Sequence, residues 1–273
     1  MKIKGIGLSL IIFIVFLVIS WAFATTSLAA IQRQHLQWNY FSHVVMIVLA
    51  IGAIAIGKKD FRSFGFTLKK WRSDLSVALI CLISAAGYIP SLIYPPIAKN
   101  GLINTLVIVA ATLLALVFVL REKGKNITVE PKSMVIILAP LSLSIASALD
   151  NAGFGTIASA VIFQFFFVGF GEEILFRGYI QTRLNEDFGR PWGIKGVNFG
   201  PGLLITSALF GVLHLTNPFN PLMGQFQLNL LSGISSFFFG LLFGFVREKT
   251  GTVLSASLAH GFVDLGQVVS LLF

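Results

Sequence analysis

Two adjacent glutamates and an arginine, Glu172, Glu173 and Arg177, stand in the stretch GEEILFRGYI. The run just before them, Ile157 to Phe170, carries no charge. On a helix, positions i and i+4 are neighbours, so Glu173 and Arg177 can form an ion pair. Pairing offsets the cost of a lone charge at mid-bilayer depth, which is a few kcal/mol on the gentlest scale. Glu172 is not served by that pair. It lies about 100° round the helix from Glu173 at ~3.6 residues per turn, and its neighbours at i±3 and i±4 are Gly169, Val168, Leu175 and Phe176. It must either snorkel to water or find partners on other helices.

Few partners are available. The chain has four histidines. His35 and His43 fall at or near the polar stretch between the first two apolar runs and read as interfacial. His214 sits in FGVLHLT with Phe210 one turn before it, and His260 sits in LAHGFVD with Asp264 one turn after it. Both lie in apolar runs, where ionisable groups face the bundle interior and carry function. A single such histidine is as often a helix–helix hydrogen bond as a catalyst; two histidines, an aspartate and an unpaired glutamate on three late helices favour the catalytic reading.

The elements that must position these groups are membrane helices. Of 273 residues, 56% are hydrophobic and 11% charged, with a mean hydropathy of +0.87; soluble domains carry about 25% charged residues. Crossing a bilayer takes roughly 20 apolar residues. The pattern predicts helices near 7–30, 38–57, 74–95, 101–120, 134–149, 156–184, 202–218, 225–246 and 252–272. The fold class expected is all-α: a polytopic transmembrane bundle of eight or nine helices with an intramembrane catalytic cavity. The fifth run is short and contains Pro140, so eight crossings with one re-entrant piece is the alternative to nine. Residues 1–133 form the N-terminal transmembrane helices and basic loops, and residues 134–273 the catalytic core. Lys2 and Lys4, an apolar run and SLAA resemble a signal peptide, but the run is long for one and reads as a retained anchor.

Charge orients the bundle. With the N-terminus inside, the inside segments hold Lys2, Lys4, Lys58, Lys59, Arg62, Lys69, Lys70, Arg72, Arg121, Lys123, Lys125, Lys132, Arg183, Arg190, Lys195, Arg247 and Lys249, and the outside segments only Arg33 and Lys99. The positive-inside rule is met at every loop. The net charge of +9 is thus explained by the membrane, and nucleic acid is not expected as a partner. The loop KKDFRSFGFTLKKWRSD reads as an interfacial segment on an anionic leaflet. Cys81 is the sole cysteine, which excludes an intramolecular disulfide and a cysteine metal cluster.

Glu172, Glu173 and Arg177 as E-E-x-x-x-R, Phe210 and His214 as F-x-x-x-H, and His260 and Asp264 as H-x-x-x-D occur in one order, each within an apolar run. This set resembles that of the CAAX protease and bacteriocin-processing family of intramembrane peptidases, which includes the type II CAAX prenyl endopeptidases. The resemblance covers about the last 120 residues. It implies that Glu172 and His214 activate a water, that Glu172 passes the proton to the leaving amine, and that His260 and Asp264 stabilise the oxyanion. Glu173, Arg177 and Phe210 would support the site. Family members frequently have asparagine where this chain has Asp264, and an ionised aspartate cannot donate a hydrogen bond; it could instead orient His260.

The activity expected is an intramembrane endopeptidase acting on a membrane-associated peptide or a prenylated CAAX protein, with no cofactor. A zinc peptidase using Glu172, His214 and His260 is the alternative, although no H-E-x-x-H motif occurs. Further alternatives are a non-catalytic immunity or scaffold protein of the same fold, and a proton-coupled transporter. The protein would be multi-pass, with a cytoplasmic N-terminus and a cavity opening toward the cytoplasm. By helix rise, Glu172 lies near the inner end of its span and His214 further from that face; a dip of GIKGVNFGPG into the membrane would shorten the difference.

Overall fold

The computed structural model describes residues 3–36, 38–90, 94, 96, 99–121 and 154–270. Among these the chain forms nine helices: α1 (Ile3–Ala24), α2 (Ser27–Leu36), α3 (Tyr40–Ile56), α4 (Trp71–Ile80, prolonged by Leu82–Ala85 and the 3-10 turn Ala86–Tyr88), α5 (Gly101–Arg121), α6 (residues 154–188), α7 (Pro201–Leu215), α8 (Leu230–Thr250) and α9 (Val253–Ser270). The chain is an integral membrane protein of helical-bundle class. By length and composition α1, α5, α6 and α8 can each cross a membrane, and α2 with α3 form a pair bent by 114°. The expected helix at 134–149 lies outside the described residues.

The one departure from an all-α fold is a hairpin of β1 (Trp192–Ile194) and β2 (Val197–Phe199), with Trp192 opposite Phe199. Lys195 and Gly196 both have positive φ at its turn, as a two-residue turn matching the strand twist requires. The segment expected to dip toward His214 is therefore largely this hairpin, whose residues are exposed apart from Val197 and Phe199.

Polar contacts mark the two ends of the bundle. At one end the Gly5 amide donates to Asp187 at 2.7 Å, Lys59 faces Glu186 at 3.3 Å and Thr252 donates to Asp74 at 2.7 Å. Glu248 there accepts from Gln181 at 2.7 Å and Asn185 at 2.6 Å. At the far end Asn220 donates to the Trp21 carbonyl at 3.2 Å, and Trp38 donates to Ser159 at 3.2 Å. Lys58, Lys59, Arg62, Lys69, Lys70, Arg72, Arg121, Arg183, Arg190, Lys195, Arg247 and Lys249 all belong to the first, basic end; Arg33 and Lys99 belong to the far end.

Small residues let the helices around the site approach closely. A Cβ on Gly240 of α8 would stand 2.9 Å from Ser207 of α7, and one on Gly211 of α7 would stand 2.9 Å from the Gly233 carbonyl of α8. With no hydrophobic force between helices in lipid, such close packing is what holds them together. On α6, a Cβ on Gly171 would meet His43 of α3 at 3.0 Å, and one on Gly169 would meet the α9 backbone at 3.0 Å. Two glycines just before Glu172 thus admit α3 and α9 to different faces of α6.

Candidate active site

Helix α6 is not a uniform α-helix. Phe163–Val168 and Ile174–Gln181 are π-helical, and the α-helical Gly169–Glu173 lies between them. Such widened turns are rare and cluster at functional sites. The two glutamates close the α-helical piece.

Glu173 and Arg177 pair at 2.7 Å, and both side chains are fully buried. Arg177 also donates to the Gly240 carbonyl at 3.0 Å. Its guanidinium lies 4.5 Å from the Phe210 ring centre and 5.5 Å from that of Phe243, within the range of a cation–π attraction. His260 Nδ1 lies 3.0 Å from the same Glu173 oxygen, and its Nε2 lies 3.3 Å from Asp264. Phe243 stacks on the His260 ring at 4.6 Å. Glu173 is thus held by a cation and an imidazole, as the i,i+4 spacing requires for the arginine.

Glu172 is held otherwise. His43 Nε2 stands 3.6 Å from its Oε1 and His214 Nε2 4.0 Å from its Oε2. That Oε2 is buried without a hydrogen-bond partner among the described residues. Both imidazoles are fixed in the same way. His43 Nδ1 donates to the Asn39 carbonyl at 2.9 Å, and His214 Nδ1 donates to the Phe210 carbonyl at 3.0 Å. A carbonyl only accepts, so each Nδ1 carries a proton and each ring turns Nε2 to the carboxylate.

His43 adds to the sequence reading. It stands beside the loop before α3, in the first turn of that helix, but its side chain is buried against α6, in edge contact with Phe163 at 5.1 Å. Asn39 caps this helix, its side chain accepting from the Ser42 amide at 3.4 Å, and that cap places His43 one turn in. The signal was present, since His43 falls inside the span read at 38–57. The depth estimate is corrected. Helix α6 runs on to Phe188, so Glu172 is far from its end and level with His214. Phe210, expected as a supporting residue, is the hub of the site: its ring meets Phe176 at 5.2 Å, His214 at 4.7 Å and His260 at 5.7 Å. Gly240, Phe243 and Asn39 were not singled out from the sequence.

The three-ligand set Glu172, His214 and His260 is not assembled, because both nitrogens of His260 face other carboxylates. Among the described residues no group of three or more histidine, cysteine, aspartate or glutamate side chains is arranged to hold a metal ion. An apolar groove lined by Phe66, Leu68, Phe170, Ile174 and Leu254 lies elsewhere. Phe170 and Ile174 are two residues either side of Glu172, about 200° round the helix, and none of the site residues lines the groove.

Residues 154–266 match the family described as type II CAAX prenyl endopeptidase Rce1-like. No curated protein and no solved structure matches the chain.

Proposed function

We propose that this chain, which belongs through residues 154–266 to the type II CAAX prenyl endopeptidase Rce1-like family, is an intramembrane endopeptidase that cleaves a membrane-associated substrate with a water activated by Glu172. The family relation supports protease chemistry. One observation supports the choice of residues: two imidazole Nε2 atoms stand 3.6 and 4.0 Å from a buried carboxylate whose Oε2 has no hydrogen-bond partner. Those separations are too long for good direct hydrogen bonds and suit a bridging water.

Glu172 takes a proton from that water while the water oxygen forms a bond to the scissile carbonyl carbon. The carbonyl electron pair moves onto oxygen, giving a tetrahedral oxyanion. On collapse the C–N bond breaks and Glu172 hands its proton to the departing nitrogen, leaving a carboxylic acid and an amine, which then exchange a proton to become carboxylate and ammonium. His214 and His43, each with its Nδ1 proton committed to a carbonyl, turn acceptor Nε2 atoms toward the water, one of which takes the hydrogen bond of its second O–H. His260 and Asp264 are the pair proposed to stabilise the oxyanion, His260 by its charge and Asp264 by fixing the ring that carries it. Donors and charges so placed each contribute about 10²–10³ in rate. Glu173 and Arg177 hold the frame.

The test is cleavage of a prenylated and an unprenylated peptide by purified protein in detergent, for wild type and Glu172→Ala. Wild type should cleave at least one of them, and a folded Glu172→Ala protein should cleave neither. A folded Glu172→Ala protein with wild-type rate would remove Glu172 from the mechanism.

A further inference from the structure

The chain turns between α7 and α8, over residues 216–229, where both helices stop short. Helix α7 rises about 22 Å and the apolar part of α8, from Leu230 to Val246, about 25 Å, at ~1.5 Å per residue. The hydrocarbon of a bilayer is about 30 Å thick. Both helices reach the basic end, where α7 follows the hairpin that carries Lys195 and α8 runs into Arg247 and Lys249. At the far end they are level with each other, because the Asn229 amide donates to the Leu215 carbonyl at 2.9 Å. Helix α1 runs further. Asn220 donates to the Trp21 carbonyl at 3.2 Å, Trp21 stands about 27 Å along α1 from Ile3, and α1 continues past it to Ala24. The loop therefore turns within the depth that α1 spans.

A chain turning at that depth has two needs. Its amides need acceptors, because acyl chains offer none. Every amide from Thr216 to Gln225 has one within the protein. Asn220 and Gln225 exchange amide–carbonyl bonds at 2.8 and 2.9 Å, the Met223 amide donates to the Asn220 carbonyl at 3.1 Å, and the Leu222 amide donates to the Asn220 side chain at 3.0 Å. The amides of Thr216, Asn217, Phe219 and Gly224 reach carbonyls three or four residues back, and prolines 218 and 221 have no amide to satisfy. Its side chains must also tolerate lipid. No Lys, Arg, Asp or Glu occurs from Gly196 to Val246. The loop displays Leu222, Met223, Phe226 and Leu228, exposed by 59%, 46%, 68% and 58%. Phe219 lies between Trp21 and Phe226, with ring centres 5.6 and 5.8 Å away.

We propose that residues 216–229 form an interfacial cap set into the lipid leaflet opposite the basic loops, with Leu222, Met223, Phe226 and Leu228 among the acyl chains. An exposed apolar patch of this kind marks a lipid or a protein surface. Three observations make lipid the occupant. The helices on either side end below the edge of the hydrocarbon, the amides are satisfied without water, and Trp21, of the residue type enriched at membrane interfaces, stands at the same level. Asn217, Gln225 and Gln227 supply polar side chains for the headgroup region. The cap also bears on the site. Thr216 ends α7 two residues after His214, so the leaflet that holds the cap holds the end of the helix that carries His214. The cap stands whether or not the chain hydrolyses peptides.

The experiment uses the full chain in phospholipid vesicles. In a Cys81→Ala background, Leu222→Cys and Phe226→Cys each carry a nitroxide. Its collisions with oxygen, which concentrates among acyl chains, are compared with its collisions with a water-soluble nickel chelate. Ile14→Cys, on the exposed face of α1, and Lys69→Cys, on the basic loop, serve as the lipid and water references. At both cap positions the oxygen-to-nickel ratio should exceed that at Lys69 by at least about fivefold and approach that at Ile14, since the bilayer core holds no water. A smaller ratio at either position places the loop in water and overturns the cap. Spin–spin broadening that disappears on dilution with unlabelled protein would put a second copy of the chain on the loop, and overturns it equally. Only variants that elute and melt as wild type does are read, and Leu228→Cys replaces either one that does not fold.

Discussion

Glu172 and Glu173 are neighbours in sequence, on one helix, and both are buried, yet their surroundings differ in kind. Glu173 shares one oxygen between Arg177 at 2.7 Å and His260 at 3.0 Å. Glu172 faces two imidazoles at 3.6 and 4.0 Å with none in direct contact. Both acids leave Oε2 without a hydrogen-bond partner among the described residues, so a step of about 100° round the helix separates a carboxylate in direct contact with an arginine and an imidazole from one that faces imidazoles without direct contact.

The contrast can be broken by experiment. The largest effect expected is on activity at Glu172: Glu172→Gln should lower the cleavage rate by at least about 10³-fold, at the upper part of the range for a lost acid–base group, with the melting temperature in detergent unchanged. A folded, active Glu172→Gln protein would end the distinction between the two acids. Next comes stability at Glu173. Glu173→Gln leaves Arg177 buried without its anion, which should cost about 3–5 kcal/mol, read by chemical denaturation in detergent; Glu173→Gln with Arg177→Met should recover part of it.

The two imidazoles sharpen the picture. His214→Ala and His43→Ala should each slow cleavage by roughly 10²-fold while the fold persists. A His43→Ala enzyme with wild-type rate would remove α3 from the site. At Asp264 the amide keeps an oxygen that can accept from His260, so Asp264→Asn should lose less than about tenfold, and Asp264→Ala more, by the loss of a charge-assisted hydrogen bond. Extensive chelation should leave the rate unchanged. Loss of activity on chelation, with recovery on adding back zinc, would transfer the activation of water to a metal.

Much of this arrangement was legible in the sequence. The Glu173–Arg177 pair followed from i,i+4 spacing, and the isolation of Glu172 followed from elimination. Helix positions followed from runs of apolar residues, so α5, α6 and α8 lie close to their expected bounds. What the sequence did not show has physical reasons. The π-helical turns of α6 are a backbone adjustment with no side-chain signature in a uniformly apolar run. Phe243 and the Gly240 carbonyl reach Arg177 and His260 because glycines let α7 and α8 approach, and a phenylalanine among 27 carries no mark of that use. The position of His43 near its loop was legible, but its burial was not, because that depends on α6 lying beside the first turn of α3.

Sequence separation has a consequence for the chain during its synthesis. His260 meets Glu173 across 87 residues, and Trp38 meets Ser159 across 121. Contacts of such range form late, since loop closure must come before they stabilise anything. As a chain emerges from the ribosome, Glu172 and Glu173 enter the membrane before α7, α8 and α9 have been made. Until α9 docks, His260 cannot reach Glu173, and until α7 docks, Glu172 lacks His214. The nascent protein thus carries Glu172 and Glu173 through insertion with their partners absent, and the proposed site is assembled only once α9 has docked.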